Sequence, residues 1–314
     1  MRKSLLVPLL AMLLLITGCS RDQQQTSTIR IALLPILDAL PIHVAQAEGY
    51  FEDHDVRVEI IPVASAPERD QLIQSGQADA MINELVSVLF YNQQATNVIA
   101  VRFARTATTD TPVFRIVASA ASGIENVADL AGVPIGISEG TVIEYTTDRL
   151  LQNAGLSEDE IEKVAVPKIP DRLNLLSSGQ LDAANLPDPA ASLALLQGSK
   201  LIIDDSSFPE VGHSVITFDA GFVERSPATV RAFLAAVEKA VQAINADKER
   251  WDQLLLEQNL LPPPLLESYV LPSYPTGSVP TQAQFDDAYQ WASEKGLVEG
   301  AIPYDQSVSG DYLP

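Results

Sequence analysis

PERDQLIQSGQADA at residues 67–80 is answered, 103 positions later, by PDRLNLLSSGQLDA at residues 170–183. Pro67, Arg69, Leu72, Ser75, Gly76, Gln77, Asp79 and Ala80 recur as the same residue types without any shift in register. The upstream segments align in the same frame, VEIIPV at 58–63 over IEKVAV at 161–166. Each copy reads as strand, helix, strand. The β-branched run favours a strand, Pro opens a short helix, and Gly supplies the left-handed residue that stops it. Asp-Ala and a hydrophobic pair then begin a buried strand. Helix-stop chemistry arising twice would explain the Gly and little else, so the repeat implies two similar α/β lobes.

On either side of the repeat, the mature chain alternates strand and helix segments, which calls for parallel sheets covered by helices. Ile29–Leu34 and 56–63 read as the opening strands, and 98–104 as a later one. Val113–Ser119 looks like a strand crossing into the second lobe, and Ser214–Asp219 like one crossing back. Lobe one is therefore expected over 29–112 plus 218–314, with C-terminal helices at 227–247, 248–258 and 282–295. Lobe two is expected over 113–217.

The 314 residues are 46% hydrophobic, enough for two packed lobes, and the formal charge is −21. That acidity argues against a nucleic-acid partner and against charge-driven binding to an anionic membrane surface. The N-terminus reads as a targeting signal over 1–18. Arg2 and Lys3 precede an apolar run from Leu5 to Ile16, far shorter than the roughly 20 residues of a spanning helix. Ile16-Thr17-Gly18-Cys19 resembles a bacterial lipobox, with the chain's only cysteine as the acylated first mature residue. Residues 19–28 are then a polar tether. Removing 1–18 takes away two positive charges and no negative ones, so the mature charge is −23.

Ala45-x-x-x-Gly49-Tyr50-Phe51, the repeated Gly-Gln-x-Asp-Ala, Ala128-Asp129-Leu130-Ala131-Gly132 and the ending at 304–314 resemble bacterial ABC-importer substrate-binding proteins. More narrowly, the chain is similar to the nitrate/sulfonate/taurine and thiamine-pyrimidine-binding group, in a flavour that includes riboflavin-binding lipoproteins. The resemblance implies a type II periplasmic-binding-protein fold, two α/β lobes joined by two crossing segments around a ligand. It also implies the partners: a small-molecule ligand, an ABC permease with its ATPase, and the membrane through an acyl anchor at Cys19, the chain itself being a monomer without cofactor or metal. The family's usual Gly near position 55 is Asp55 here, so a different turn is expected before the second strand.

In open α/β sheets, ligands bind beyond the carboxyl ends of the strands. Those ends are Asp38, Ser65, Asn83 and Glu84 in lobe one, and Ser138, Glu139, Gly140, Thr141, Asn185 and Asp188 in lobe two. Several carboxylates at these exits would repel a nitrate or sulfonate, because ionised Asp and Glu only accept hydrogen bonds. A donor-rich heterocycle suits them better, with Tyr145 as a stacking platform. Riboflavin is the first expectation, a thiamine pyrimidine the second, and a sulfonate, taurine or nitrate the alternative. Each carboxylate also has the plainer reading of a helix cap. Gly136-Ile137-Ser138-Glu139-Gly140 fits the G-x-S-x-G pattern between a strand and a helix, with Asp204 and His213 downstream, which keeps a lipid-anchored serine hydrolase as a lower alternative. The principal expectation is a binding protein and not an enzyme. The anchor is tested directly: Cys19→Ser should release the protein from the detergent phase on phase partitioning, and a variant that still partitions with detergent contradicts the lipobox.

Overall fold

The computed structural model describes residues 28–314; the signal segment 1–18, the tether up to residue 27 and with it Cys19 lie outside the described residues. Among the described residues, ten strands form two five-stranded sheets. The strands are β1 (Thr28–Leu33), β2 (Arg57–Pro62), β3 (Ala80–Asn83), β4 (Val98–Thr106) and β5 (Phe114–Ala118), then β6 (Ile135–Ile137), β7 (Lys163–Ala165), β8 (Ala183–Pro187), β9 (Lys200–Asp204) and β10 (His213–Asp219). The first sheet runs β2-β1-β3-β10-β4 and the second β7-β6-β8-β5-β9. The two orders are the same permutation, as the repeat implies.

Both sheets are mixed where parallel ones are expected. β10 runs antiparallel to β3 and β4, and β5 antiparallel to β8 and β9. Each is the strand that has just crossed from the other lobe. It enters at the carboxyl end of its new sheet, so it can only run against its neighbours. β10 pairs with the first sheet along its whole length, so the chain re-enters lobe one before residue 213 and not at 218. The crossings are 107–113 and 205–212.

The repeated helix-stop residues are now explicable atom by atom. Helices Ala66–Gln74 and Ile169–Ser177 both end in a Schellman motif. Gly76 and Gly179 adopt φ of 68° and 69°. Gln77 N donates to Leu72 O at 2.8 Å, and Gln180 N to Leu175 O at 2.9 Å. Gln77 Nε2 and Gln180 Nε2 each donate to the preceding serine hydroxyl. Ser, Gly, Gln and Leu are thereby accounted for; the repeated arginine is not. Asp55 takes φ of 55°, the left-handed conformation a glycine would supply, so the expected change of turn does not occur.

Helix Pro227–Ala246 buries Val230, Phe233, Leu234, Val237, Val241 and Ile244 against lobe one, at the spacing of one helical face. Helix Gln282–Glu294 does something different. Its Phe285 meets Tyr304 of lobe one edge-on at 5.7 Å. Its Trp291 donates to Asp148 of lobe two at 2.9 Å, and Asp287 pairs with Arg149 at 3.0 Å. This helix is a third tie between the lobes, beyond the two crossings.

The crossings are pinned by Asp205, whose carboxylate accepts from Val113 N at 2.8 Å and Phe114 N at 3.1 Å. Burial pushes its pKa up from 3.8 to about 7, outweighing those two N–H groups and Arg105. Because the folded value is raised, the stabilisation is whole below about 4 and is lost as pH rises through about 7. The unfolding free energy of the wild type should therefore fall relative to that of Asp205→Asn between pH 4 and pH 8, by on the order of a few kcal/mol, as read by chemical denaturation. A difference that stays flat with pH would show that Asp205 does not titrate at the hinge.

Candidate functional site

The strand ends of the two sheets face each other across a cleft holding about 560 Å³ of atom-free space, its open mouth included. Leu34, Ile36 and Ile82 of lobe one and Val142, Ile143 and Pro167 of lobe two supply apolar walls. Eight of the lining residues are polar or charged, and all eight are buried. Among them are the two repeated arginines, Arg69 and Arg172.

The arginines occupy equivalent helix positions but end differently. Arg69 is paired: its Nε donates to Asp70 at 2.8 Å, and its Nη1 reaches Glu84 Oε2 at 3.1 Å and Ile82 O at 3.2 Å. Only Nη2 lacks a partner. Burial would lower its pKa, but Glu84 and Asp70 outweigh it and hold the guanidinium above its ordinary value. Arg172 is fully buried, and its Nη1 donates to Val166 O at 2.7 Å. Its Nε and Nη2 are unpartnered, and among the described residues no carboxylate lies within ion-pair distance. Burial pulls its pKa down to about 10, which leaves it charged at neutral pH. The slot for its stem depends on Gly136. A Cβ there would meet Arg172 Cγ at 3.3 Å and Leu181 Cδ1 at 2.7 Å. Ser138, next to this slot on the cleft wall, also has a buried hydroxyl without a partner.

Glu84 is 4% exposed, and burial raises its pKa while the Arg69 guanidinium and the Val142 N–H pull it back. Its Oε1 is unpartnered. Asn83 and Thr141 also line the cleft; Asn83 accepts from Thr217 at 2.5 Å, and Thr141 caps the helix Val142–Asn153 while donating to Ser138 O at 2.8 Å.

The remaining expected site residues are spent elsewhere. Asp38 borders the cleft, yet it accepts from Ser214 Oγ at 2.5 Å and faces Arg105 Nη1 at 3.6 Å. Asp188 is taken by Arg115, by Ser192 Oγ at 2.6 Å and by Tyr269 Oη, with Arg105 Nη2 at 3.8 Å. It is an interlobe latch, because Arg105 and Tyr269 belong to lobe one. Asn185 turns its amide onto Ile143 O, Thr146 and Thr147. Ser65 caps its helix, accepting from Glu68 N at 3.4 Å. Glu139 is exposed, and Gly140 N donates to Glu144 at 2.8 Å. Tyr145 does not stack in the cleft. Its ring meets Trp291 edge-on at 5.5 Å, and its hydroxyl donates to Asp287 at 2.5 Å.

A serine triad is not assembled. Ser138 Oγ has no partner, Asp204 accepts from Ser206, and His213 Nδ1 donates to Glu210 O at 3.1 Å. Burial pushes the His213 pKa down to about 4.

A family model described as NMT1/THI5 like matches residues 37–250. A relative from Escherichia coli (strain K12), named for binding aliphatic sulfonates, is 28% identical over 163 residues, 52% of this chain. The match spans about half of that relative's length, 51%. A Haemophilus influenzae (strain ATCC 51907 / DSM 11121 / KW20 / Rd) protein named for thiamine biosynthesis is 24% identical over 276 residues, 84% of this chain and 85% of that one. Among solved structures, the alkanesulfonate-binding protein SsuA from Xanthomonas axonopodis pv. citri, bound to MOPS, superposes with a TM-score of 0.75 at 20% identity, covering 90% of this chain and 98% of that one. The two-lobed fold is thus that of the periplasmic binding proteins.

The position of Tyr145 gives a sharp test. Tyr145→Phe removes one hydrogen bond to a carboxylate and nothing from the cleft, so melting should drop by roughly 2–6 °C. Ligand affinity, measured by calorimetry, should stay within about twofold; a large loss of affinity at unchanged melting would return Tyr145 to the site.

Proposed function

The chain belongs to the NMT1/THI5-like family, and from that premise we propose that it is an extracytoplasmic solute receptor for an organic anion of the sulfonate class. It closes its two lobes on the anion and hands it to an ABC permease and its ATPase, a monomer held at the membrane by acyl chains on Cys19. The observation that carries this reading is Arg172, a buried guanidinium with two free donors and, among the described residues, no counter-ion. An uncompensated buried charge costs several kcal/mol, and an unsatisfied buried donor of a charged group adds to that. A sulfonate, with three acceptor oxygens and one negative charge, removes both penalties at once. The names of the sulfonate-binding relative and of the MOPS-bound neighbour agree with it.

The vitamin-like heterocycle expected from the strand-exit carboxylates loses its support on the same grounds. Asp38 and Asp188 are neutralised by Arg105 and Arg115, Glu139 faces solvent, and the ring that was to stack is packed under Trp291. Acidic residues at the exits do not make an acidic cleft.

Isothermal titration of the purified protein with propanesulfonate, MOPS, nitrate, riboflavin and the thiamine pyrimidine in parallel should give binding to the sulfonates. Arg172→Met should weaken that binding by about 2–3 kcal/mol, roughly thirty- to a hundred-and-fifty-fold. The same variant should melt no lower than the wild type, because it removes a charge that nothing in the free protein balances. Tight binding of either heterocycle with no sulfonate bound would overturn the reading.

A further inference from the structure

Four charges meet where the lobes touch, two from each lobe. Asp38 and Arg105 of β4 belong to lobe one; Arg115 of β5 and Asp188 belong to lobe two. Arg105 is 1% exposed and lies between the two carboxylates, with Nη1 at 3.6 Å from Asp38 Oδ1 and Nη2 at 3.8 Å from Asp188 Oδ2. Both separations are longer than a hydrogen bond. The guanidinium donates only from Nη2 to Pro112 O in the first crossing, at 3.2 Å, and its Nε and Nη1 have no partner. Asp38 meanwhile accepts from Ser214, and Asp188 from Arg115, Ser192 and Tyr269. Asp205 also acts on Arg105 from the second crossing, but it lies beyond ion-pair distance and is held by Val113 N and Phe114 N.

The boundary between the lobes divides this cluster into two neutral pairs. When lobe two swings away, Asp188 leaves with Arg115 and Ser192 of its own lobe, while Arg105 keeps Asp38. Tyr269 gives up its hydrogen bond to Asp188, but it carries no charge. We infer that Arg105 is a positioning residue for closure that exchanges carboxylates: Asp38 and Asp188 share it when the lobes meet, and Asp38 alone holds it when they part. Breaking a buried ion pair ordinarily strands one partner without a counter-ion, and that cost would weigh on every opening. Here neither state strands a charge. The two long separations and the idle N–H groups leave the guanidinium free to settle toward either side, so the contact can be made and released in each cycle.

The two carboxylates therefore act on closure with opposite signs, and small-angle scattering of the purified protein without ligand reads the difference. Asp38→Asn deprives the open state of its counter-ion and should raise the closed-to-open ratio about tenfold. Asp188→Asn removes the attraction across the interface and should lower that ratio by about the same factor. The radius of gyration should then be smaller for Asp38→Asn than for Asp188→Asn, with the wild type at or between the two. Arg105→Gln should side with Asp188→Asn and takes its place where that variant fails to fold; Asp38→Ser likewise stands in for Asp38→Asn. Equal radii, the reverse order, or both variants on the same side of the wild type would overturn the exchange, because a general effect of charge or packing moves both the same way. No ligand enters the measurement, so its outcome is independent of whether the cleft takes a sulfonate.

Discussion

A guanidinium buried without a counter-ion is the constraint to which the rest of this cleft answers. Arg172 stays charged because its pKa, although lowered by burial, remains near 10. Water is kept from its free donors, so the protein carries the desolvation cost in its unliganded state. That cost is tolerable only because the surroundings are rigid. The helix bearing Arg172 is stopped by a Schellman motif. The stem lies in a slot that exists because position 136 lacks a side chain, and Val166 O fixes one end of the fork. Preorganisation of this kind converts a local instability into ligand affinity, since no side chain needs to be ordered on binding.

The duplication explains how such a site arises and why its halves differ. Both copies need the same helix stop, so Ser, Gly, Gln and Leu are retained for folding. Arg69 and Arg172 occupy the same helix position, yet Arg69 has a neighbouring Asp70 and a strand-exit Glu84. In the second copy, Arg172 is preceded by Asp171 and followed by Leu173, and the residue matching Glu84 is Pro187. Replacing two carboxylates by leucine and proline leaves one arginine ion-paired and its twin without a counter-ion among the described residues. The pocket gains a polarity that neither lobe would have if the copies were identical.

Much of this fold is legible in the sequence because its determinants are local. The helix stops, the β-branched runs and the repeat interval each lie within one or two dozen residues, and the two crossing strands follow from them. The antiparallel sense of β5 and β10 is not local; it follows from the end of the sheet at which each crossing arrives. The site is less legible for the same reason. Strand exits locate the cleft, and Asn83, Glu84, Ser138 and Thr141 do line it. The fate of each side chain is set by partners far along the chain: Asp38 by Ser214, Asp188 by Tyr269, and Tyr145 by Asp287. The repeated arginine did carry a signal. It is the charged identity buried in both copies that neither helix start nor helix stop explains, and a charged residue retained at equivalent buried positions is a candidate for ligand contact.

Closure in this molecule is more constrained than two crossing strands alone would make it. Asp205 holds the start of β5 through two backbone N–H groups, Asp188 latches lobe two onto Arg105 and Tyr269, and the helix Gln282–Glu294 spans both lobes through Phe285, Asp287 and Trp291. Opening must break or slide some of these contacts, most of them buried and charge-assisted, each worth on the order of 1–3 kcal/mol. A ligand bound between the lobes therefore does not have to supply the whole of the closing free energy. It has only to relieve charged groups that the closed cleft leaves unsatisfied, Arg172 first among them, and the protein's own interlobe contacts supply the remainder. That division lets a small ligand with few contacts hold two lobes together, and on the organic-anion reading proposed above it places the selectivity of closure on Arg172, outside the apolar wall.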